Sequence, residues 1–328
     1  MALRLKAGYS RNPRLSQLPE VEGLELEWQF FESAGELFLH QLKENSFDLF
    51  EFSIADFLVT QSLPEWQHTG WQAIPIHLTK PLSLFLGLHA HNRSGVKDYG
   101  DLKGKRFGLP DFGMTAAVWL RIMLRTVYGI QPQDITWYNG RPPSHRHGRI
   151  LNIDSKPLNG VKLINMDEGR SLNDLLQAGE IDAAYGSGFG APLTASSQVT
   201  QVGSSAMVRQ LIVELYKRES VTPVNHVLLI KNQHLSNDPG LALRIFQAFE
   251  AHKQRAYERA RQNAEAYLVL PDDDFARQAD EFGQDPYPSG LSNNRRMLTL
   301  IAEQLVLDGL IPVVPDIDGL FAEAVRST

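Results

Sequence analysis

Not one of the 328 residues is a cysteine. Disulfides, thiolate nucleophiles and Cys-ligated metal sites are excluded together. A basic excess is also missing: the formal charge is −6, which argues against a nucleic-acid surface. No stretch approaches the ~20 apolar residues that a membrane-spanning helix needs. The opening segment MALRLKAGYS has no apolar run of signal-peptide length and goes straight into a strand pattern. The expected location is therefore cytoplasmic, or periplasmic for a chain whose leader has been removed. No internal repeat or low-complexity tract is visible. With 43% hydrophobic and 21% charged residues the balance is that of an ordinary globular chain, and its length calls for two lobes rather than one small core.

The stretch that organises what is present runs from Asp101 to Trp119. Arg106 to Pro110 reads as a short strand, Asp111-Phe112-Gly113 as a tight loop, and Met114-Thr115 as the opening of a helix. Ala117, Leu120, Met123, Leu124 and Val127 recur at helical spacing, and Gly129 stands where a C-terminal cap belongs. A strand, a glycine loop and a helix start form a site for an anion, because free N–H groups and the positive dipole end converge there. Gly113 permits close approach and Thr115 adds a hydroxyl. The spacing is neither Walker-type nor GxGxxG, so a nucleotide is not indicated. The same unit is also common in α/β proteins that bind nothing at that point.

Elsewhere, Leu3 to Gly8 alternates as an opening strand followed by the polar loop Tyr9 to Pro13, and Leu24 to Trp28 forms a second strand. Ser33 is placed to cap a helix over 36–43. Phe47 to Ser53 is a strand ending in aromatic company, and there Glu51 is either solvated or held near a site with its pKa raised; spacing slightly favours the solvated reading. Ala73 to Ile76 and Ser83 to Ala90 read as strands, the latter a candidate for crossing between lobes. His145-Arg146-His147 invites a metal reading, but two histidines with no nearby carboxylate make a poor site, and a solvated basic loop is favoured. Gly186 to Gly203 reads as a loop. His226 precedes the apolar strand Val227 to Ile230, where a buried structural role is favoured over proton donation. From Asp238 onward the pattern is helical, over 241–261, 274–282 and 294–308. Strand–helix alternation in two blocks gives an α/β chain of two lobes with a cleft between them.

Taken in order, these pieces resemble the 4,5-dihydroxyphthalate decarboxylase family of the type 2 periplasmic-binding-protein fold. Tyr9-Ser10-Arg11-Asn12 is similar to the family's Tyr-Asp-Arg-Thr loop, and Phe47-Asp48-Leu49-Phe50-Glu51-Phe52-Ser53 to its Phe-Asp-x-x-Glu-Met-Ser. The Asp101–Trp119 block is the most specific match. Tyr128-Gly129-Ile130, Gly179 to Ala183, Pro223-Val224-Asn225-His226 and Asp285 to Gly290 with Asn294-Arg295 follow in the family's order. One segment departs: where the family carries Ser-Arg-x-Phe-Arg-His, this chain has Thr79-Lys80-Pro81-Leu82-Ser83-Leu84. Lys80 keeps one charge, but paired cations for a dicarboxylate are lost.

The apolar strands ending at Ala90 and beginning at Val227 point to two chain crossings, hence a discontinuous lobe of 1–88 and 228–328 with 89–227 inserted, and the resemblance implies a substrate held in the interlobe cleft. It implies cofactor-free decarboxylation of a hydroxylated aromatic acid. The anion would fall to Arg11 and the Gly113–Met114–Thr115 start, with Asn12, Ser53 and Lys80 lining the site, and the proton to His226 or Glu51. A solute-binding protein or sensor taking an organic anion needs the same cleft without the acid. A different cytoplasmic enzyme of this fold, such as those of menaquinone synthesis, is a third reading. The expected partner is a small organic anion, with no nucleic acid, no membrane span and no metal, and a homo-oligomer is compatible with all of this.

Overall fold

A computed structural model describes residues 2–11, 19–78, 87–186 and 192–328. Its strands are β1 (Leu3–Ser10), β2 (Leu24–Phe31), β3 (Leu49–Ser53), β4 (Trp71–Leu78), β5 (Leu88–His91), β6 (Arg106–Leu109), β7 (Thr136–Asn139), β8 (Lys162–Asn165), β9 (Ala183–Tyr185), β10 (Val199–Val202) and β11 (His226–Lys231). The helices are α1 (Ala34–Glu44), α2 (Ile54–Ser62), α3 (Thr115–Tyr128), α4 (His147–Ile150), α5 (Leu172–Gln177), α6 (Ser205–Glu219), α7 (Asn232–Asn237), α8 (Leu241–Tyr267), α9 (Pro271–Phe282) and α10 (Leu291–Asp308).

The strands form two sheets, one ordered β2-β1-β3-β11-β4 and the other β10-β5-β9-β6-β7-β8. The first combines the N-terminal strands with β11, which runs antiparallel between β3 and β4. Register pairs His226 with Ser53 on one side and with Leu78 on the other. The C-terminal ends of β1, β3 and β4 therefore meet the first residue of β11 along one edge of the sheet. In open α/β sheets that edge carries ligands.

Local sequence accounts for the elements beside this edge. Gly8 lets β1 lie under Phe47, whose ring atoms would stand 2.6 Å from a Cβ at that position. α3 is buried on every side over Ala117 to Leu124, and Gly129 closes it at φ 67, a conformation that favours glycine. Inside α3, Arg121 is wholly buried: Nε donates to Asp308 Oδ2 at 2.9 Å and Nη1 to the carbonyls of Phe112 and Ala117. The guanidinium also stacks on Phe112, 3.8 Å from its ring centroid. One side chain thus fixes the Asp111–Gly113 loop, α3 and the C-terminal end of α10.

Several expectations change here. Ser33 takes the N-cap position of α1 without a side-chain cap bond. Val199–Val202, expected to be loop, pairs antiparallel with β5. The helix expected over 241–261 runs to Tyr267. The proposed crossing strand over 83–90 is described only at its end, as β5. Among the described residues no helix is long and apolar enough to cross a membrane.

Candidate active site

β3 is a central strand, flanked by β1 and β11, so its side chains enter packed surroundings. Glu51 is wholly buried. The expectation of a solvated carboxylate is thereby overturned. One oxygen, Oε2, accepts from the Ser10 amide at 2.9 Å and the Ser10 hydroxyl at 2.6 Å. The other, Oε1, lies 2.6 Å from His226 Nδ1. Burial alone pushes the Glu51 carboxyl up, but the His226 charge and hydrogen bonds from His226 and Ser10 outweigh it and hold the group below 4.5. Tyr9, buried beside it, is pushed up by burial and by the Glu51 charge.

His226 sits at the head of β11 with its side chain 12% exposed. Phe38 of α1 meets the ring edge-on, 5.0 Å between centroids and 88° between planes. With Nδ1 committed to Glu51, Nε2 is the nitrogen left for another partner. His226 is thus a nearly buried imidazole oriented by Glu51, an arrangement that both its structural and its proton-donating reading need.

A second histidine–carboxylate pair lies close by. His147 Nδ1 is 2.8 Å from Asp56 Oδ2 in α2, and Phe38 also touches the His147 ring at 6.3 Å. The expected solvated basic loop is thus incorrect for two of its three residues, since Arg146 and His147 are both buried. Arg146 bonds the carbonyls of Arg141 and Met166 and pairs with Asp154. Among the described residues no group of three His, Asp or Glu side chains that could hold a metal ion comes together.

Ser53 and Thr115 also meet. Their hydroxyls are 3.0 Å apart, and Thr115 Oγ1 accepts from the Ala55 amide at 3.0 Å. Ser53 in turn caps α2 by accepting from the Asp56 amide. The Gly113 amide is taken by Asp111 Oδ1 and the Met114 amide by the Asp111 carbonyl. The donors expected to face an anion are thus partly spent within the loop. The Thr115 and Ala116 amides have no acceptor among the described residues.

Arg11 lies on the surface, its Nε 2.6 Å from Glu32. Asn12 and Lys80 lie outside the described residues. Arg141, which the sequence does not single out, pairs with Asp111 at 3.1 Å and is mostly buried. Its Nη2 stands 3.0 Å from where a Cβ on Gly35 would be, so Gly35 leaves room for the guanidinium against α1. No signal at short range marks Arg141 or Asp56, because their partners come from other elements.

Across its whole length the chain superposes on the periplasmic aliphatic sulphonate binding protein SsuA from Escherichia coli, with a TM-score of 0.52 at 13% identity and full coverage of both chains. This is a periplasmic-binding-protein fold. In sequence the chain is similar to the 4,5-dihydroxyphthalate decarboxylase of Comamonas testosteroni, 28% identical over 268 residues, 80% of this chain and 78% of that protein. It is also 28% identical to the 4,5-dihydroxyphthalate decarboxylase of Pseudomonas putida over 151 residues, 46% of this chain and 56% of that one. No family model matches. The resemblance seen in the motifs is thus found across most of the chain, on a two-lobed binding-protein scaffold.

Proposed function

We propose that the chain is a cofactor-free decarboxylase of a hydroxylated aromatic carboxylic acid, similar to 4,5-dihydroxyphthalate, with His226 as its acid. The observation that carries this reading is the pair just described: a buried, ionised Glu51 gripping Nδ1 of an imidazole whose Nε2 is left for another partner. Glu51 is out of reach of a substrate, so its role is to orient His226 and to stabilise the imidazolium.

In the reaction, Nε2–H passes its proton to the ring carbon bearing the carboxylate, and ring π electrons form the new C–H bond. The positive charge spreads to a hydroxyl oxygen ortho or para to that carbon. The C–C bond then breaks, its electron pair restores the aromatic ring, and CO₂ departs. Solvent returns a proton to the imidazole. The carboxylate is placed at the start of α3, beside Ser53, Met114 and Thr115, with the Thr115 and Ala116 amides as donors and Gly113 giving access. Lobes of 1–88 with 228–328 and of 89–227 close over it by a hinge.

A second reading, binding of an organic anion without turnover, is favoured by the scaffold and by the segment Thr79 to Leu84, which lacks the second cation of the decarboxylase pattern. Incubation with 4,5-dihydroxyphthalate and a series of hydroxybenzoates, following CO₂ release and thermal shift together, separates the two. CO₂ release supports the enzyme; stabilisation with no CO₂ from any compound supports the binder.

A further inference from the structure

Two imidazoles pack against Phe38, each bonded to a carboxylate, and the reaction above uses only that of His226. His147 is closed to a substrate. Its side chain and that of Asp56 are each 4% exposed, and both its ring nitrogens are taken, Nδ1 by Asp56 Oδ2 at 2.8 Å and Nε2 by the Gly35 carbonyl at 3.3 Å. A carbonyl only accepts, so Nε2 carries a hydrogen. A second hydrogen lies between Nδ1 and Asp56 Oδ2, because two lone pairs at that separation would repel each other. The His147–Asp56 pair is therefore neutral as a whole. Glu51 differs, being met by two donors of Ser10 as well as by His226.

What the pair holds indicates its use. Gly35 and Asp56 lie in the first turns of α1 and α2, which follow β2 and β3 of the first sheet, while His147 opens α4 beyond β7 of the second. One turn along α1 from Gly35, Phe38 is buried, with its ring centroid 6.3 Å from that of His147 and 5.0 Å from that of His226. Without the two hydrogen bonds of His147, α1 is free to shift against α4, and Phe38 moves with it. A displacement of about 1 Å at a reacting group costs up to about 10²-fold in rate.

Resting on the decarboxylase reading, we propose that His147 is a positioning residue for His226: through Gly35 and Asp56 it ties the second sheet to the first turns of α1 and α2, and so holds Phe38 against the proton-donating imidazole. The role requires the hydrogen bonds of the pair and not a charge on Asp56.

Two readouts on the full chain test this: CO₂ release from 4,5-dihydroxyphthalate, and the nitrogen resonances of the His226 ring, identified by their absence in His226→Asn. Asp56→Asn keeps both bonds, since its amide donates to Nδ1 while Nε2–H still reaches Gly35. It leaves the resonances in place and kcat within about threefold of the parent. Asp56→Leu and His147→Phe break the pair, move the resonances, and lower kcat by roughly 10–10²-fold with KM little changed. Should neither fold, Phe38→Leu, which leaves the pair intact and removes the ring between the imidazoles, decides by the same two measurements. Resonances that stay at their parental positions in the folded variants overturn the proposal. So does a loss in Asp56→Asn as large as in Asp56→Leu, or a loss carried by KM alone. If the parent itself releases no CO₂, the decarboxylase reading fails separately, and the His226 resonances still decide whether His147 holds that ring.

Discussion

His226 Nδ1 and Glu51 Oε1 lie 2.6 Å apart, although 175 positions separate the two residues in the chain. The contact arises because β11 inserts antiparallel beside β3, placing the head of one strand against the end of the other. It sets the protonation chemistry of the edge. A buried carboxylate is tolerated only because the imidazole and two donors from Ser10 meet it.

If His226 is the acid, His226→Asn lowers CO₂ release by roughly 10²–10⁴-fold, the usual share of a general acid. Thermal stabilisation by 4,5-dihydroxyphthalate is largely kept. Loss of both together assigns His226 to holding the substrate instead.

Glu51→Gln keeps the size and an acceptor for Ser10 but removes the charge that faces His226. Turnover falls by about 10² or more, and the pH–rate profile changes shape, which a purely structural role would not produce. Stability carries its own sign. The Glu51 carboxyl titrates below 4.5 in the folded chain, so its contribution is complete above that pH and is lost as pH falls through the folded value. Urea unfolding compared at neutral pH and near the bottom of the carboxylate range should show the gap between parent and variant closing. A gap that is constant with pH rules out an ionised Glu51.

Burial, with the Lys253 charge adding to it, lowers His77 from 6.5 to about 3. Between those values the unfolded chain binds a proton that the folded chain refuses, so folding stability falls as pH drops from 6.5 toward 3. His77→Phe flattens this slope. Chemical denaturation across that range measures it, and equal slopes in the two proteins would show that His77 does not contribute.

Arg121→Met leaves the Asp308 carboxylate buried without its cation and should cost roughly 3–5 kcal/mol. Adding Asp308→Leu restores a good part of the loss, because the uncompensated charge goes with it. A double-mutant cycle from denaturant midpoints gives the coupling. Additive effects would mean that the pair does not act as a unit.

How much was legible in the sequence follows the range of the forces involved. The helix of α3 was readable because Ala117, Leu120, Met123 and Leu124 recur at helical period and Gly129 can adopt the left-handed cap; both are properties of a few adjacent residues. The ordered motifs likewise carried the fold, since each marks a local strand–loop–helix unit, and their sequence in the chain is the topology. What the sequence could not decide was the environment of each polar side chain. Glu51 looked solvated because nothing near it in sequence opposes that, whereas β1 and β11 bury it. His147 belonged to an apparently basic loop until Asp56, 91 positions away, came to its ring. Thr115 and Arg121 were fixed by Ser53 and Asp308, partners supplied by other elements. Periodicity and capping determine which segments are helix or strand; burial and partnership, and with them charge and chemistry, exist only once distant segments are brought together.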